Sequence, residues 1–186
     1  MATEHRALLL IDFQAAFDDP AAGSRNNPDA ERNALLLLAR WRETNRPIVH
    51  IQHSSIEPGS ALRPDSPGHA FKPGFEPAAG EMWLSKRVNS AFIGTPLETA
   101  LDRAGIRSLV IAGLTTDHCV STSTRMAGNL GFDVILAGDA TAAFERQAVD
   151  GTRIDAETVH RVNLASLDHE FCRVYDTEAI VASIGG

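Results

Sequence analysis

The sequence predicts an α/β fold in which a parallel sheet is covered by helices on both faces. Short apolar segments alternate with longer amphipathic segments along most of the 186-residue chain. This alternation is typical of βαβ units, whose strands are buried on both faces and are therefore continuous apolar runs. The chain shows no internal repeat and no second-domain boundary. We therefore expect a single domain over residues 1–186, a length that suits one substantial core.

Six short apolar segments are the predicted strands. Each is bounded by glycine, proline or polar residues, as strands of a buried sheet commonly are. They cover residues 6–11, 47–52, 82–86, 108–112, 132–137 and 171–175. The predicted helices lie between these segments or after the last of them.

Capping residues mark where helices begin. Asn27 and Pro28 predict the start of a helix over residues 28–44. Thr95-Pro-Leu-Glu98 is a capping box and predicts a helix that ends near residue 103. Further helices are expected over residues 121–129, over residues 156–169 and from residue 177 onward. Residues 54–80 have no periodicity and many prolines and glycines, and a loop of that length is typically functional, here as a lid or substrate wall.

Composition excludes several classes of function. The formal net charge is −7 and no basic cluster is present, which argues against nucleic acid or an anionic membrane as the partner. No apolar run approaches the roughly 20 residues of a membrane span, and the N-terminus lacks a signal-peptide pattern. Cys119 and Cys172 are far apart and make no disulfide framework. We expect a soluble, cytoplasmic protein that acts on a small molecule.

Cys119 is the strongest candidate for a reactive residue. It follows the predicted strand 108–112 and precedes a helical segment, so we expect it in the first turn of a helix. Unpaired N–H groups and the helix dipole would there favour a thiolate over a thiol. The competing interpretation is a buried structural cysteine.

Asp12 and Lys86 end two other predicted strands. Ligands of open parallel sheets bind beyond the carboxyl ends of the strands, so we expect both side chains to share one site with Cys119. Lys86 can lower the pKa of the thiol and stabilise negative charge. Asp12 can take the thiol proton and pass it to a leaving amine. Taken alone, each residue is better interpreted as a solvated strand end or loop residue.

The segments around these positions resemble the isochorismatase-like cysteine hydrolases, which include nicotinamidases, N-carbamoylsarcosine amidases, ureidoacrylate amidohydrolases and streptothricin hydrolase. The matching segments are Leu8-Leu-Leu-Ile-Asp-Phe-Gln14, Lys86-Arg-Val-Asn-Ser-Ala-Phe-Ile-Gly-Thr95, Val110-Ile-Ala-Gly-Leu-Thr-Thr-Asp-His-Cys-Val120 and Gly131-Phe-Asp-Val-Ile-Leu-Ala-Gly-Asp-Ala140. They occur in the family's order and together span most of the chain. The resemblance implies a Rossmann-like three-layer α/β/α sandwich with a six-stranded parallel sheet. It also implies a homodimer or homotetramer.

By this resemblance, Asp12, Lys86 and Cys119 form the catalytic triad of a covalent amidase that uses no cofactor. The family also places a cis peptide bond before the nucleophile, here between Leu114 and Thr115. That bond would turn the N–H of Thr115 toward the same point as the N–H of Cys119. Two converging donors would form an oxyanion hole for a tetrahedral intermediate.

Two branches of the family differ at positions that this sequence can test. Isochorismate hydrolases typically lack the cysteine, so Cys119 favours an amide or N-carbamoyl bond. Nicotinamidases hold a metal with an Asp-x-His pair and a further histidine after the second strand. Here Gln52 and Ser54 flank His53, and a hard or borderline metal would require the missing carboxylate. We expect no metal, with His53 and His69 as the candidate ligands if one binds.

Residues next to the triad in sequence are candidates for the substrate-binding wall: Phe13, Phe17, Asn89, Phe92 and His118. The aromatic residues among them could equally belong to the core. Asp117 is interpreted as a structural cap and Cys172 as a buried, inert thiol. The substrate itself depends on loop 54–80 and, in an oligomer, on a neighbouring subunit.

The sequence thus predicts a cysteine amidohydrolase that acts on a small carboxamide or N-carbamoyl compound through a thioester on Cys119. Hydrolysis of an ester or lactam on the same triad is the alternative among enzymes. A ligand-binding or redox-sensing protein, with Cys119 as an oxidisable thiol, is the alternative outside them.

Overall fold

The computed structural model describes residues 6–184, which contain eight strands. They are β1 (Arg6–Ile11), β2 (Ile48–His53), β3 (Met82–Lys86), β4 (Ser108–Leu114), β5 (Asp133–Ala142), β6 (Arg146–Gln147), β7 (Arg153–Ile154) and β8 (Arg173–Tyr175). Six of them form one parallel sheet in the order β3-β2-β1-β4-β5-β8, and β6 pairs with β7 as a small antiparallel hairpin. The strand order reverses between β1 and β4, which places a crevice beyond their carboxyl ends.

Helices cover both faces of the sheet. Within residues 6–184 the α-helices are α1 (Ala30–Glu43), α2 (Leu97–Arg103), α3 (Ser121–Asn129), α4 (Ala156–Leu167) and α5 (Thr177–Ser183). α1 and α5 pack on one face with Leu8 and Leu10, whereas α2, α3 and α4 pack on the other with Leu9 and Ile11. Successive strand residues point to opposite faces, so the leucine run of β1 supplies both cores. The predicted three-layer sandwich with a six-stranded parallel sheet is confirmed.

The start of α1 differs from the prediction. The helix begins at Ala30 rather than at Pro28, and Asn27 does not cap it. Asn27 has a left-handed backbone (φ 46°), and its side-chain amide donates to the carbonyl oxygens of Asp139 and Thr141. Asn27 therefore ties the loop before α1 to β5, a long-range role that local sequence does not show.

Several other elements have different bounds than predicted: β2 covers Ile48–His53, β4 continues to Leu114, and β8 begins at Arg173. α2 begins at Leu97, and Thr95 Oγ1 makes only a long contact of 3.4 Å with the Leu97 N–H. α4 ends at Leu167, two residues early. β5 continues to Ala142, because its pairing with β4 resumes after a bulge.

Loop 54–80 has little regular structure, as the sequence predicts. It contains a 3₁₀ turn at Pro67–His69 and one isolated bridge between Phe71 and Gln14. The Gln14 side-chain amide donates to the carbonyl oxygens of His53 and His69. These bonds attach the loop to the carboxyl ends of β1 and β2, where the triad is expected.

No helix within residues 6–184 is long and apolar enough to cross a membrane. The first helix, α1, has 14 residues.

The two cysteines, Cys119 and Cys172, are both free and buried. The Cys172 thiol donates to the Leu167 carbonyl oxygen at 3.6 Å, and burial raises the pKa of Cys172 to about 12. These contacts fit the inert thiol that the sequence predicts.

Candidate active site

The carboxyl ends of neighbouring strands bring Asp12, Lys86 and Cys119 together. Asp12 directly follows β1, and Lys86 is the last residue of β3. β2 lies between them, and its last residue, His53, is the register partner of Lys86. Cys119 follows β4 on the other side of β1. The sheet order thus converts four separate sequence segments into one cluster.

The Lys86 ammonium lies at the centre of this cluster. Its Nζ atom is 2.7 Å from Asp12 Oδ2, 2.8 Å from His53 Nδ1 and 3.2 Å from Cys119 Sγ. A lysine has three N–H donors, so the three acceptors match its full donor capacity. Lys86 and Asp12 are almost completely buried. The ammonium is therefore fixed in position and poorly screened by water.

The two carboxylate oxygens of Asp12 have different surroundings. Oδ2 accepts from Lys86, whereas Oδ1 is buried and accepts no hydrogen bond within residues 6–184. Buried polar atoms almost always have a partner, so such an exception requires an explanation. Asp12 and Cys119 offer atoms within 4.8 Å of each other. Oδ1 therefore has unused acceptor capacity in the described part of the chain, close to the nucleophile.

Cys119 lies in a π turn rather than in the predicted first turn of an α-helix. The turn covers Thr116–Val120 and leads directly into α3. The N–H of Val120 donates to the carbonyl oxygen of Thr115 at 3.2 Å. Single π turns occur frequently at functional sites.

The free thiol is protonated, contrary to the sequence prediction. Burial and the charge of Asp12 raise the pKa of Cys119, and the Lys86 ammonium opposes them only in part. The Cys119 thiol also lies 3.9 Å from Asn89 Oδ1, the acceptor of a weak S–H contact. The expectation of a resting thiolate is therefore wrong. Cys119 has to lose its proton as it reacts, and Lys86 is placed to stabilise the charge that forms.

The peptide bond between Leu114 and Thr115 is cis. Thr115 and Cys119 both line the cavity described below. Gly113 lies just before them, at a point where the backbones of β4 and β1 approach each other closely. A Cβ atom on Gly113 would lie only 2.4 Å from the carbonyl oxygen of Ile11. An oxyanion hole formed by the N–H groups of Thr115 and Cys119 stays a prediction.

His53, which the sequence predicts only as a candidate metal ligand, is also a member of the cluster. Burial, and then the charge of Lys86, lower the pKa of His53, so the ring is neutral at pH 7. Its Nδ1 accepts from Lys86, which leaves its proton on Nε2. Gln14 fixes the His53 backbone by accepting from its N–H and donating to its carbonyl oxygen. One feature could have indicated this role: His53 is at the carboxyl end of β2, and β2 lies between the strands that lead to Asp12 and Lys86.

The same cluster has a donor set that could hold a metal. Asp12, His53 and Cys119 each offer a ligand atom, and these atoms lie within 4.8 Å of one another. Lys86 Nζ contacts all three residues, so the ammonium occupies the position that a metal ion would take. His69 is not part of the cluster, and its Nε2 contacts a serine hydroxyl at 2.8 Å. Independence from metal stays a prediction.

Cys119 opens into a cavity of about 370 Å³, which we call the Cys119 cavity. It is lined by Ala16, Phe17, Ala22, His53, Ser60, Ala61, Leu62, Asn89, Thr115, His118, Cys119, Phe144 and Arg146. Two larger cavities, of about 540 and 720 Å³, are not lined by any residue of the triad, and the first of them shares Phe17 and Phe144 with the Cys119 cavity. Residues 60–62 belong to loop 54–80, so this loop does form part of the wall.

Three of the predicted wall residues line the Cys119 cavity, namely Phe17, Asn89 and His118. Phe13 and Phe92 do not. Phe13 stacks on Phe75 with ring centroids 4.1 Å apart, in the core under α1. Phe92 packs against Phe132 in the opposite core. Both residues are close to the triad in sequence, but their rings pack in the hydrophobic core instead of lining the cavity.

Arg146 lines the cavity although the sequence does not predict it there. It lies in β6, and its Nε donates to Asp117 Oδ2 at 2.7 Å. Asp117 is therefore the ionic partner of Arg146 and not the structural cap that was predicted. No local pattern marks Arg146, because its approach to Cys119 depends on the path of β5 and the β6–β7 hairpin.

Comparison with known proteins agrees with this geometry. Residues 6–179 match the family model described as the isochorismatase domain. The chain belongs to the isochorismatase-like cysteine hydrolase family. The resemblance seen in the sequence is confirmed, and the protein is a hydrolase of this family.

Several relatives of this isochorismatase-family chain are similar over most of its length. An uncharacterized isochorismatase family protein of Bacillus subtilis, YrdC, is 46% identical over 178 residues, which cover 96% of this chain and 95% of that protein. Streptothricin hydrolase of Streptomyces noursei is 34% identical over 78% of this chain and 58% of its own length. Maleamate amidohydrolase of Pseudomonas putida is 29% identical over 89% and 80%, respectively. The crystal structure of a putative isochorismatase-family hydrolase from Chromobacterium violaceum superposes with a TM-score of 0.96 at 48% identity, covering 100% of this chain and 96% of that one.

Proposed function

We propose that this hydrolase is a cysteine amidohydrolase that cleaves a small carboxamide or N-carbamoyl compound through a thioester on Cys119. The observation that carries the proposal is the contact of one ammonium, Lys86 Nζ, with both Cys119 Sγ and Asp12 Oδ2. A nucleophile, a proton acceptor and a fixed positive charge are the groups that acyl transfer requires. Cys119 lines a cavity large enough for a small molecule.

Acylation begins with a protonated thiol. Cys119 transfers its proton to Asp12 Oδ1 while its sulfur attacks the carbonyl carbon, and the C=O electron pair moves onto oxygen. Lys86 stabilises the charge that forms on sulfur, and the N–H groups of Thr115 and Cys119 stabilise the oxyanion. The C–N bond then breaks, and Asp12 donates the proton to the departing nitrogen. Ammonia or an amine leaves, and the acyl group stays on Cys119 as a thioester.

Deacylation uses the same groups in reverse. A water molecule gives a proton to Asp12 and attacks the thioester carbonyl carbon. The second tetrahedral intermediate collapses with cleavage of the C–S bond, and the acid leaves. Asp12 returns its proton to the Cys119 sulfur, which restores the resting thiol. The net reaction consumes one water and yields one acid and one amine.

Asp12 is the residue that favours an amide over an ester. An amine leaving group has to be protonated as the C–N bond breaks, whereas an alcohol leaves with less assistance. Asp12 is buried beside Cys119 and receives the proton that the amine needs. The name of the relative from Pseudomonas putida, maleamate amidohydrolase, agrees with this bond type.

A substrate panel tests the proposal. Small carboxamides, N-carbamoyl compounds and the matching esters and lactams are incubated with the protein, and the released acid and amine are measured by mass spectrometry. Cys119→Ala should abolish hydrolysis, whereas Cys172→Ala, which removes the other buried thiol, should retain it. Hydrolysis of esters or lactams alone would favour the alternative activity on the same triad. No hydrolysis together with ready oxidation of Cys119 would favour the binding or redox-sensing alternative.

A further inference from the structure

Three buried hydrogen bonds connect α4, the π turn that carries Cys119, and β5. His160 Nδ1 lies 2.9 Å from Thr116 Oγ1, which lies 3.1 Å from Thr141 Oγ1. Thr141 Oγ1 is 3.0 Å from the carbonyl oxygen of Gly138. The three side chains are buried and belong to α4, the π turn and β5, respectively. We call this set of hydrogen bonds the His160 chain.

The groups involved fix the direction of every bond in the His160 chain. A carbonyl oxygen can only accept, so Thr141 gives its one hydroxyl proton to Gly138. Thr141 Oγ1 then accepts from Thr116, and Thr116 Oγ1 accepts from His160 Nδ1. Burial lowers the pKa of His160, so the ring is neutral at pH 7 and its single proton is on Nδ1. Hydrogen bonds that run in one direction polarise and strengthen one another.

The His160 chain holds the first residue of the π turn. Thr116 begins the turn and directly follows Thr115, which supplies one of the two predicted oxyanion donors. Thr141 is the register partner of Gly113 near the end of β4, so the chain ties the start of the turn to the neighbouring strand. If the turn moved, a buried hydroxyl and a buried ring N–H would lose their partners, which is costly. None of the three linked side chains lines the Cys119 cavity, so they can affect the reaction only through the turn.

We propose that His160 is a positioning residue for the predicted oxyanion hole. Its Nδ1–H, acting through Thr116, keeps the π turn in the orientation that directs the N–H groups of Thr115 and Cys119 to one point. The inference rests on the proposed function, because it takes Cys119 as the nucleophile of an acyl transfer. A misplacement of about 1 Å can slow an enzymatic reaction roughly 100-fold, so a hydrogen bond behind the turn affects the rate without touching the substrate.

Two reagents that react with the same sulfur separate this role from a general effect on Cys119. With p-nitrophenyl acetate, the thiol proton goes to Asp12 as sulfur attacks, and the C=O electron pair moves onto oxygen. The carbonyl then re-forms, the C–O bond to the ring breaks, p-nitrophenolate leaves, and the acetyl group stays on sulfur. Iodoacetamide is attacked at its CH₂ carbon, and iodide leaves without any oxyanion. A displaced oxyanion hole should therefore slow acetylation and leave alkylation unchanged.

Matched variants assign the effect to the His160 chain. His160→Leu removes the donor, and Thr116→Val removes the hydroxyl that accepts from it. In both, the ratio of the acetylation rate to the alkylation rate at Cys119 should fall about tenfold or more. His160→Asn has nearly the shape of His160→Leu but carries an amide N–H at the position of Nδ1, so it should recover most of the ratio. Thr124→Val is the control, because the buried Thr124 hydroxyl has no hydrogen-bond partner within residues 6–184, and the ratio should stay native.

Both rates are measured by intact mass and peptide mapping after an acid quench, with Cys119→Ala as the background for acetylation elsewhere. Thermal unfolding checks that each variant is folded. If His160→Leu is not folded, Thr116→Val and His160→Asn carry the comparison.

The possible results separate this inference from the proposed function. An unchanged ratio in the folded variants, an equal fall of both rates, or the same loss in His160→Asn as in His160→Leu would overturn the positioning role. Alkylation of native Cys119 without any acetylation would overturn it as well. A selective loss of acetylation, with no hydrolysis of any amide by the native protein, would keep the positioning role and remove only the amidase proposal. Amide hydrolysis that depends on Cys119 but not on His160 would do the reverse.

Discussion

Replacing Lys86 with methionine isolates the electrostatic role of the ammonium, because methionine keeps most of the side-chain volume and removes the charge. Lys86 Nζ lies 3.2 Å from Cys119 Sγ. Two unit charges at that distance interact by about 5 kcal/mol at an effective dielectric constant of roughly 20. Asp12 repels the same thiolate and offsets part of this energy. We therefore assign the ammonium about 3 kcal/mol, or roughly two pKa units of the thiol.

Loss of this energy in Lys86→Met should slow the alkylation of Cys119, and this rate can be measured without knowing the substrate. At neutral pH the thiolate fraction of Cys119 should fall about 100-fold in Lys86→Met. The remaining thiolate is more nucleophilic, which recovers a factor of roughly ten for a Brønsted coefficient of about 0.4–0.5. We expect the rate constant for iodoacetamide at Cys119 to fall about tenfold, measured by intact mass and peptide mapping at pH 7.5.

Lys72→Met is the matched control. Lys72 is also buried and is ion-paired with Asp18 and with Glu31, at 2.8 Å from the latter, but it does not line the Cys119 cavity. The same substitution there should leave Cys119 alkylation at the native rate. Circular dichroism establishes that both variants are folded. A native rate in folded Lys86→Met, or an equal loss in Lys72→Met, would refute the electrostatic reasoning.

The remaining predictions concern reactivity, packing and metal. Cys119 should react with iodoacetamide much faster than Cys172 at neutral pH because it lines a cavity, and labelling of Cys172 first in peptide maps would contradict this. Because burial and Asp12 raise the pKa of Cys119, its rate should keep rising above pH 9, and a plateau below pH 8 would be inconsistent with a protonated resting thiol. Gly113→Ala should lower the free energy of unfolding by about 2 kcal/mol, since a Cβ would lie 2.4 Å from the Ile11 carbonyl oxygen; an unchanged urea midpoint would argue against that crowding. Exhaustive dialysis against EDTA should leave hydrolysis and Cys119 alkylation unchanged, because the ammonium takes the cation position; a loss restored by zinc, iron or manganese would show that a metal is needed.

The six apolar runs show why the fold could be predicted from the sequence. A parallel strand buried on both faces has to be apolar throughout. The leucine run of β1 has this pattern and therefore predicts a buried strand. Asp12 and Lys86 could be identified for a related reason. A charged residue directly after such a run lies at the carboxyl edge of the sheet, where sites form. The position of Cys119 after β4 follows the same rule.

Other parts of the site depend on long-range packing and could not be predicted. Arg146 reaches the Cys119 cavity only through the path of β5 and its hairpin. His53 gains its role from a register pairing with Lys86 that local sequence does not specify. The pKa of Cys119 depends on the balance between burial, Asp12 and Lys86, and sequence shows the charges but not the burial.

The most direct test of the central claim is to detect the thioester on Cys119. The native protein is mixed with an amide from the panel, quenched with acid within seconds, and measured by intact mass and peptide mapping. We expect an adduct equal to the substrate minus ammonia or amine, located on Cys119 and absent from Cys119→Ala. Asp12→Asn should both form and hydrolyse this adduct more slowly, because Asp12 serves both halves of the reaction. Turnover of the same amide by Cys119→Ala at the native rate would contradict covalent catalysis at this residue.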